Sequence, residues 1–228
     1  MEIKKKNIIN LAIILVFSSS VLSYQDKINP DTTPNRWIKD IHQKSLNRLV
    51  NVYQDNINLK KSIVIDISEQ RLYLVNNLQI IKSFPISSSK FGEGSIENSY
   101  KTPLGSHEIK DKIGYNVKKN TIFNSRINTM RPAKIITKPV DSENDFITSR
   151  IMWLDGLEYG KNKGEGIDSF SRYIYIHGTH EEGLIGKKAS HGCIRMFNND
   201  VIELFDEVQE GTYLSLIHIS EPTRLSWI

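Results

Sequence analysis

The chain has 228 residues, a length that fits one domain with appendages better than two full domains. Apolar residues make up 39% and charged residues 25%, the balance of a globular protein with a core and not of a disordered or low-complexity chain. The net charge is +4, and without Met1–Ser23 it falls to +2, with 27 basic and 25 acidic residues. No dense Lys/Arg stripe with interleaved aromatics is present, so nothing asks for a nucleic-acid partner.

The first element is a basic start, Lys4 to Lys6, followed by an apolar run from Ile8 to Phe17 and small residues at 18–20. This three-part layout is that of a secretory signal, with cleavage after Ser23. A retained N-terminal anchor is the alternative, and only then is the membrane a partner. No cysteine stands near the cleavage position, which excludes a lipid-modified cysteine there. Tyr24–Arg36 carries Pro30 and Pro34 and reads as a linker. Trp37 to about Leu59 places Trp37, Ile41, Leu46, Leu49, Val50 and Tyr53 near one face of an amphipathic helix.

From Ser62 the pattern turns to strands. Residues 63–67, 71–75 and 78–86 are rich in β-branched and apolar side chains, with a tight turn at Asn76-Asn77. A polar, glycine-bearing loop follows, ends at Thr102-Pro103-Leu104-Gly105, and leads into a strand from about His107. Residues 116–145 carry no assignable pattern. Further strands are expected at 147–154 and 171–177, parted by a Gly- and Lys-rich loop. Val201, Leu204, Phe205 and Val208 follow i, i+3, i+4, i+7 and predict a helix, with Asn198 or Asn199 as cap and Gly211 at its stop. The final stretch, 214–228, has no period. Its run LSLIHISEPTR resembles the translation of a sequencing-library adapter, so 214–228 reads as a non-native tail that replaces the end of a closing strand begun at Thr212.

Near the C-terminal end stands Ser190-His191-Gly192-Cys193-Ile194-Arg195-Met196, which holds the only cysteine of the chain. An exported chain with one cysteine can form no internal disulfide, so the thiol is inert, intermolecularly paired or chemically active. A catalytic thiol needs a base, oxyanion donors and substrate access. His191 is close along the chain but poorly placed for proton transfer. His177, at the end of another predicted strand, can reach across the site and is the better base, with a backbone carbonyl near Gly178 to orient it. No acidic residue recommends itself for that task. The amides of Gly192 and Cys193 are candidate oxyanion donors, and Arg195 is a candidate anchor for a substrate carboxylate. Zinc is the rival use of His177, His180, His191 and Cys193. It is disfavoured because a strand end followed at once by glycine is not a zinc knuckle.

His177-Gly178-Thr179, followed by Ser190-His191-Gly192-Cys193, resembles the motif of the L,D-transpeptidase catalytic-domain family, bacterial enzymes that remodel peptidoglycan. Thr102–Gly105 and the segment 150–166 resemble further family elements. The resemblance covers about Lys60 to Tyr213. It implies a mostly β fold, a β-sandwich with a mixed sheet and a helix packed beside the active site. It implies Cys193 as nucleophile and His177 as proton acceptor and donor, oriented by the Gly178 carbonyl. His191, Gly192 and Cys193 would form the oxyanion environment, and Arg195 and Ser190 would hold substrate. The domain plan is then 1–23 signal or anchor, 24–59 linker and helix, 60–213 catalytic domain and 214–228 tail. The implied activity is transfer of a peptidoglycan tetrapeptide stem from terminal D-Ala to an amine, outside the cytoplasm, in the periplasm or cell envelope, without metal or cofactor. The acceptor would be a second stem or a wall-attached lipoprotein. The alternatives are a carboxypeptidase that uses water and a non-catalytic wall-binding module.

Overall fold

The computed structural model describes residues 61–77 and 79–218. The expected leader, linker and N-terminal helix lie outside the described residues. Among the described residues the fold is mostly β, with one mixed sheet and a single α-helix.

The strands are β1 (Lys61–Asp66), β2 (Arg71–Asn76), β3 (Gln79–Ser87), β4 (Gly105–Ile113), β5 (Thr121–Asn124), β6 (Ile127–Pro132), β7 (Ile147–Gly156), β8 (Tyr175–Thr179), β9 (Ile194–Met196) and β10 (Tyr213–Ile217). Helix α1 (Asn198–Glu207) lies between β9 and β10. The sheet order is β4-β10-β1-β2-β3-β9-β8-β7-β5-β6, and β4 also pairs with β7. Eight strands therefore close into a ring, and the β5–β6 hairpin hangs from β7. Only β1–β10 and β8–β9 are parallel.

The period-2 pattern of the strands builds the core directly. Ile63 stands opposite both Leu74 and Leu214, and Ile65 opposite both Leu72 and Leu216. All six side chains are fully buried. One face of three adjacent strands thus becomes a continuous apolar wall, and each such side chain contributes about 1.5–3 kcal/mol on burial. Val201, Leu204 and Phe205 of α1 join the same core. Asn76 pairs with Gln79, and Asn77 takes φ +48°, a left-handed value that asparagine tolerates in a turn.

Three expectations are corrected. The strand expected over 171–177 begins only at Tyr175 and runs to Thr179, because Asp168 accepts from the Ser171 and Arg172 amides and holds the preceding residues in turns. Neither Asn198 nor Asn199 caps α1. The Glu182 carboxylate accepts from the Asn198 amide at 2.9 Å and supplies the negative charge that a helix start favours. The Asn198 side chain instead donates to the Thr179 carbonyl at 2.7 Å and accepts from the Thr148 hydroxyl at 2.7 Å, tying β8 to β7. The domain does not stop at Tyr213: Leu214 and Leu216 continue β10 into the core. Alternate leucines there meet the apolar faces of β1, whatever the origin of the segment. Residues 116–145, which carry no assignable pattern, contain β5 and β6: β5 has four residues, and β6 buries no face, so no apolar alternation registers.

Candidate active site

Two adjacent parallel strands carry the site. In the β8–β9 register, Ile176 pairs with Ile194 and His177 with Arg195. Side chains alternate faces along a strand. Ile176, Ile194 and Met196 enter the main core, so His177, Arg195 and Cys193 are turned to the opposite face. Cys193, just ahead of β9, packs there against a smaller apolar cluster of Phe123, Ile151, Tyr175 and Trp153.

The imidazole of His177 is buried, and its Nδ1 lies 2.8 Å from the Gly178 carbonyl oxygen. A carbonyl only accepts, so Nδ1 carries the proton and Nε2 keeps its lone pair. Burial lowers the His177 pKa to about 4, against the raising influence of Asp145 and the Gly178 bond. The ring is therefore a neutral base at physiological pH. Gly178 is small for a steric reason: a Cβ there would sit 2.7 Å from the Thr148 carbonyl oxygen and 2.8 Å from the Asn198 amide oxygen.

The Cys193 thiol donates to the Tyr173 carbonyl oxygen at 3.4 Å and accepts from the Tyr175 amide at 3.4 Å. Burial pushes its pKa up to about 12, opposed by the Tyr175 amide bond. The resting pair is thus a thiol and a neutral imidazole, not an ion pair. Gly192 takes φ +121°, a conformation that favours glycine. Its carbonyl oxygen accepts from the Thr102 hydroxyl at 2.9 Å. In a trans peptide the next N–H points the opposite way, so this bond directs the Cys193 amide away from Thr102. The segments also meet through Lys90 N–H to the Ser190 carbonyl at 3.0 Å and Ser89 N–H to the Thr102 hydroxyl at 3.1 Å. The Thr-Pro element and the long polar loop thus clamp the residues around the thiol.

The other four expected site residues are held by neighbours. The guanidinium of Arg195 is 1% exposed and lies 2.9 Å from Glu181 and 2.6 Å from Asp145, so it has no open face for a substrate carboxylate. Ser190 is fully buried, and its hydroxyl donates to the Cys193 carbonyl oxygen at 2.6 Å. It shapes its own loop. The Gly192 amide donates to the same hydroxyl at 3.3 Å and is occupied, leaving the Cys193 amide as the better oxyanion donor of the two. His191 stays at the rim. Its Nδ1 is 3.1 Å from Asp145, and its ring lies beside Phe91 and Tyr100.

An acidic residue does lie beside the candidate site. Burial works against the Asp145 charge, but Arg195, His177 and the bonds from Arg195 and His191 outweigh it and hold the carboxyl below its usual range. Asp145 sits in the segment without a readable pattern, immediately before β7. Only its proximity to that strand start was available as a signal. His180, the remaining zinc candidate, bonds the Ser142 hydroxyl at 3.0 Å and packs on Phe146.

A buried strand-borne imidazole and a loop-borne thiol on one sheet face define a thiol–histidine site on a closed mixed sheet. The L,D-transpeptidase catalytic-domain model matches residues 60–219, and the chain belongs to that family. It is 51% identical over 49 residues to "Putative L,D-transpeptidase YkuD" of Bacillus licheniformis, an alignment that covers 21% of this chain and 30% of that protein. It is 39% identical over 62 residues to "Probable L,D-transpeptidase ErfK/SrfK" of Escherichia coli, covering 25% and 20%. These alignments span under a third of either relative. An L,D-transpeptidase of Mycobacterium smegmatis aligns in structure with 17% identity and a TM-score of 0.41, covering 69% of this chain and 58% of that one.

Proposed function

We propose that this chain is an exported peptidoglycan L,D-transpeptidase that works by thiol acyl transfer. The observation that carries the reading is the commitment of His177 Nδ1 to the Gly178 carbonyl, which leaves Nε2 basic on the face that also holds Cys193. A neutral base beside a neutral thiol suits a reaction in which the proton moves only as the nucleophile attacks.

The donor is a tetrapeptide stem ending in D-Ala after a diamino acid such as diaminopimelate. As Cys193 Sγ attacks the diamino-acid carbonyl, its proton passes to His177 Nε2. The Cys193 amide donates to the developing oxyanion. The C–N bond then breaks, and His177 returns the proton to the leaving D-Ala nitrogen. An amine of a second stem, or of a wall-attached protein, attacks the thioester. His177 takes the amine proton and passes it to the departing thiolate. Nucleophile and base suffice, so the chemistry requires no metal or cofactor. The basic-then-apolar N-terminal stretch is the feature that would carry the chain to this substrate outside the cytoplasm.

The test is mass spectrometry of products from purified tetrapeptide muropeptides. The expected result is free D-Ala with cross-linked dimer, abolished by Cys193→Ala. Tripeptide without dimer would make water the acceptor. Unchanged activity in Cys193→Ala would overturn the thiol mechanism.

A further inference from the structure

With Arg195 buried between two carboxylates, the stem's own carboxylates need another cation. The β5–β6 hairpin supplies one. Asn124 pairs with Ile127, so the loop is the two residues Ser125 and Arg126, with φ +46° and +69°. Left-handed values at both positions define a type I′ turn, which favours Asn-Gly. An arginine in the position where glycine fits best is a local violation, and such violations gather where a side chain has work to do.

The Arg126 side chain is held in a set direction. Its guanidinium carbon lies 4.6 Å from the Trp153 ring and 5.1 Å from the Tyr173 ring. Nη1 donates to the Tyr175 hydroxyl at 3.0 Å. Trp153 is itself fixed, stacked on Phe170 at 4.0 Å with its indole N–H donating to the Phe170 carbonyl at 3.0 Å. The same two tyrosines hold the thiol, Tyr173 through its carbonyl and Tyr175 through its amide. Arg126 and Cys193 are thus held by the same two tyrosines, one through their side chains and the other through their backbone. Among the described residues no carboxylate lies within ion-pair distance of it, whereas Arg195 has two. Arg172, also near the thiol, spends its donors on the Gly94 and Lys101 carbonyls at 3.3 and 2.8 Å.

We propose that Arg126 binds a carboxylate of the stem peptide and fixes the stem across the thiol. The proposal rests on the reading of the chain as a transpeptidase of such stems. The fork of the guanidinium suits a carboxylate, and the aromatic rings at its back keep it ordered and only weakly hydrated. The stem offers three carboxylates: the α-carboxyl of its D-glutamate, the side-chain carboxyl of diaminopimelate and the terminal carboxyl of D-Ala.

The experiment compares the wild type, Arg126→Gln and Arg126→Lys on the acid tetrapeptide and on three stems, each amidated at one carboxyl. Tripeptide and dimer formation give kcat and KM. Arg126→Gln is expected to raise KM on the acid stem about tenfold or more, and Arg126→Lys to restore part of that. Amidation of the recognised carboxyl should raise KM in the wild type and leave Arg126→Gln unmoved, which also identifies the carboxyl. A wild-type KM in Arg126→Gln would overturn the proposal, as would an equal loss on all four stems. If the wild type transforms no stem, the transpeptidase reading fails on its own. Titration of the acid and amidated stems into Cys193→Ala and Cys193→Ala/Arg126→Gln then still decides whether Arg126 binds them.

Discussion

The Thr102 hydroxyl donates to the Gly192 carbonyl across 2.9 Å, joining segments ninety residues apart in the chain. This bond fixes the peptide whose other edge is the Cys193 N–H. Thr102→Val keeps the shape and removes the donor. The expected outcome is a fall in kcat of up to about tenfold with little change in KM, since an oxyanion donor acts mainly in the transition state. Thermal unfolding of the variant should shift by only a few degrees. A change in KM alone would mean that Thr102 acts on substrate binding.

The environment of the thiol predicts an unusual pH response. Burial first, with the Tyr175 amide bond in opposition, places the Cys193 pKa at about 12. Alkylation by iodoacetamide should therefore be slow at pH 7 and still rising above pH 9. A thiolate–imidazolium pair would instead give a plateau near neutrality. The rate measured from pH 6 to 10 by intact mass separates the two, and a plateau below pH 8 would sink the neutral-pair mechanism.

Arg195 gives a stability prediction where a substrate role would give a kinetic one. Its guanidinium and the Glu181 carboxylate are each 1% exposed and 2.9 Å apart. Removing one partner of a buried pair strands the other charge. Arg195→Ala is expected to lose about 3–5 kcal/mol in urea unfolding. A stable Arg195→Ala with only a raised KM would return Arg195 to the substrate.

The strands were legible because each buries one face, and alternation of apolar residues reports that burial. The candidate site was legible for a narrower reason: Cys193 is a lone thiol, and His177 closes an apolar run in the sequence ahead of a glycine. What stayed hidden depends on distance in the chain. Asp145 and Glu181 meet Arg195 only once β7, β8 and β9 are side by side. Arg126 sits on a hairpin whose first strand has four residues and whose second buries no face, so no apolar alternation marks it. The closure of the ring through β4 and β7 is likewise a property of register and not of either strand alone.

Three buried histidines, His107, His177 and His180, resist protonation in the folded chain. Burial lowers the pKa of both His107 and His177 to about 4, from an ordinary 6.5. In the unfolded chain they take protons near pH 6.5, while the folded chain refuses them until pH 4. Their contribution is thus complete above pH 6.5 and is lost as pH falls to about 4, at up to about 3 kcal/mol each. Urea midpoints should decline steeply across that window. His107 is bonded to Ser169 at 2.9 Å and lies outside the candidate machinery, so His107→Gln should flatten part of the decline. An unchanged slope would place the acid sensitivity elsewhere.

The final strand offers the sharpest check on where the domain ends. Leu216 is fully buried opposite Ile65 on β1 and Gly105 on β4. β10 bridges these two strands, so the ring of eight closes only with it in place. Leu216→Ala should cost about 2–5 kcal/mol, as for other large core residues cut to alanine. Ser215, between the two leucines, faces the other way along the strand and is buried and bonded, so Ser215→Ala should cost about 1–3 kcal/mol, less than the leucine truncation. Equal and small losses for both, measured by urea unfolding, would mean that residues beyond Tyr213 take no part in the core.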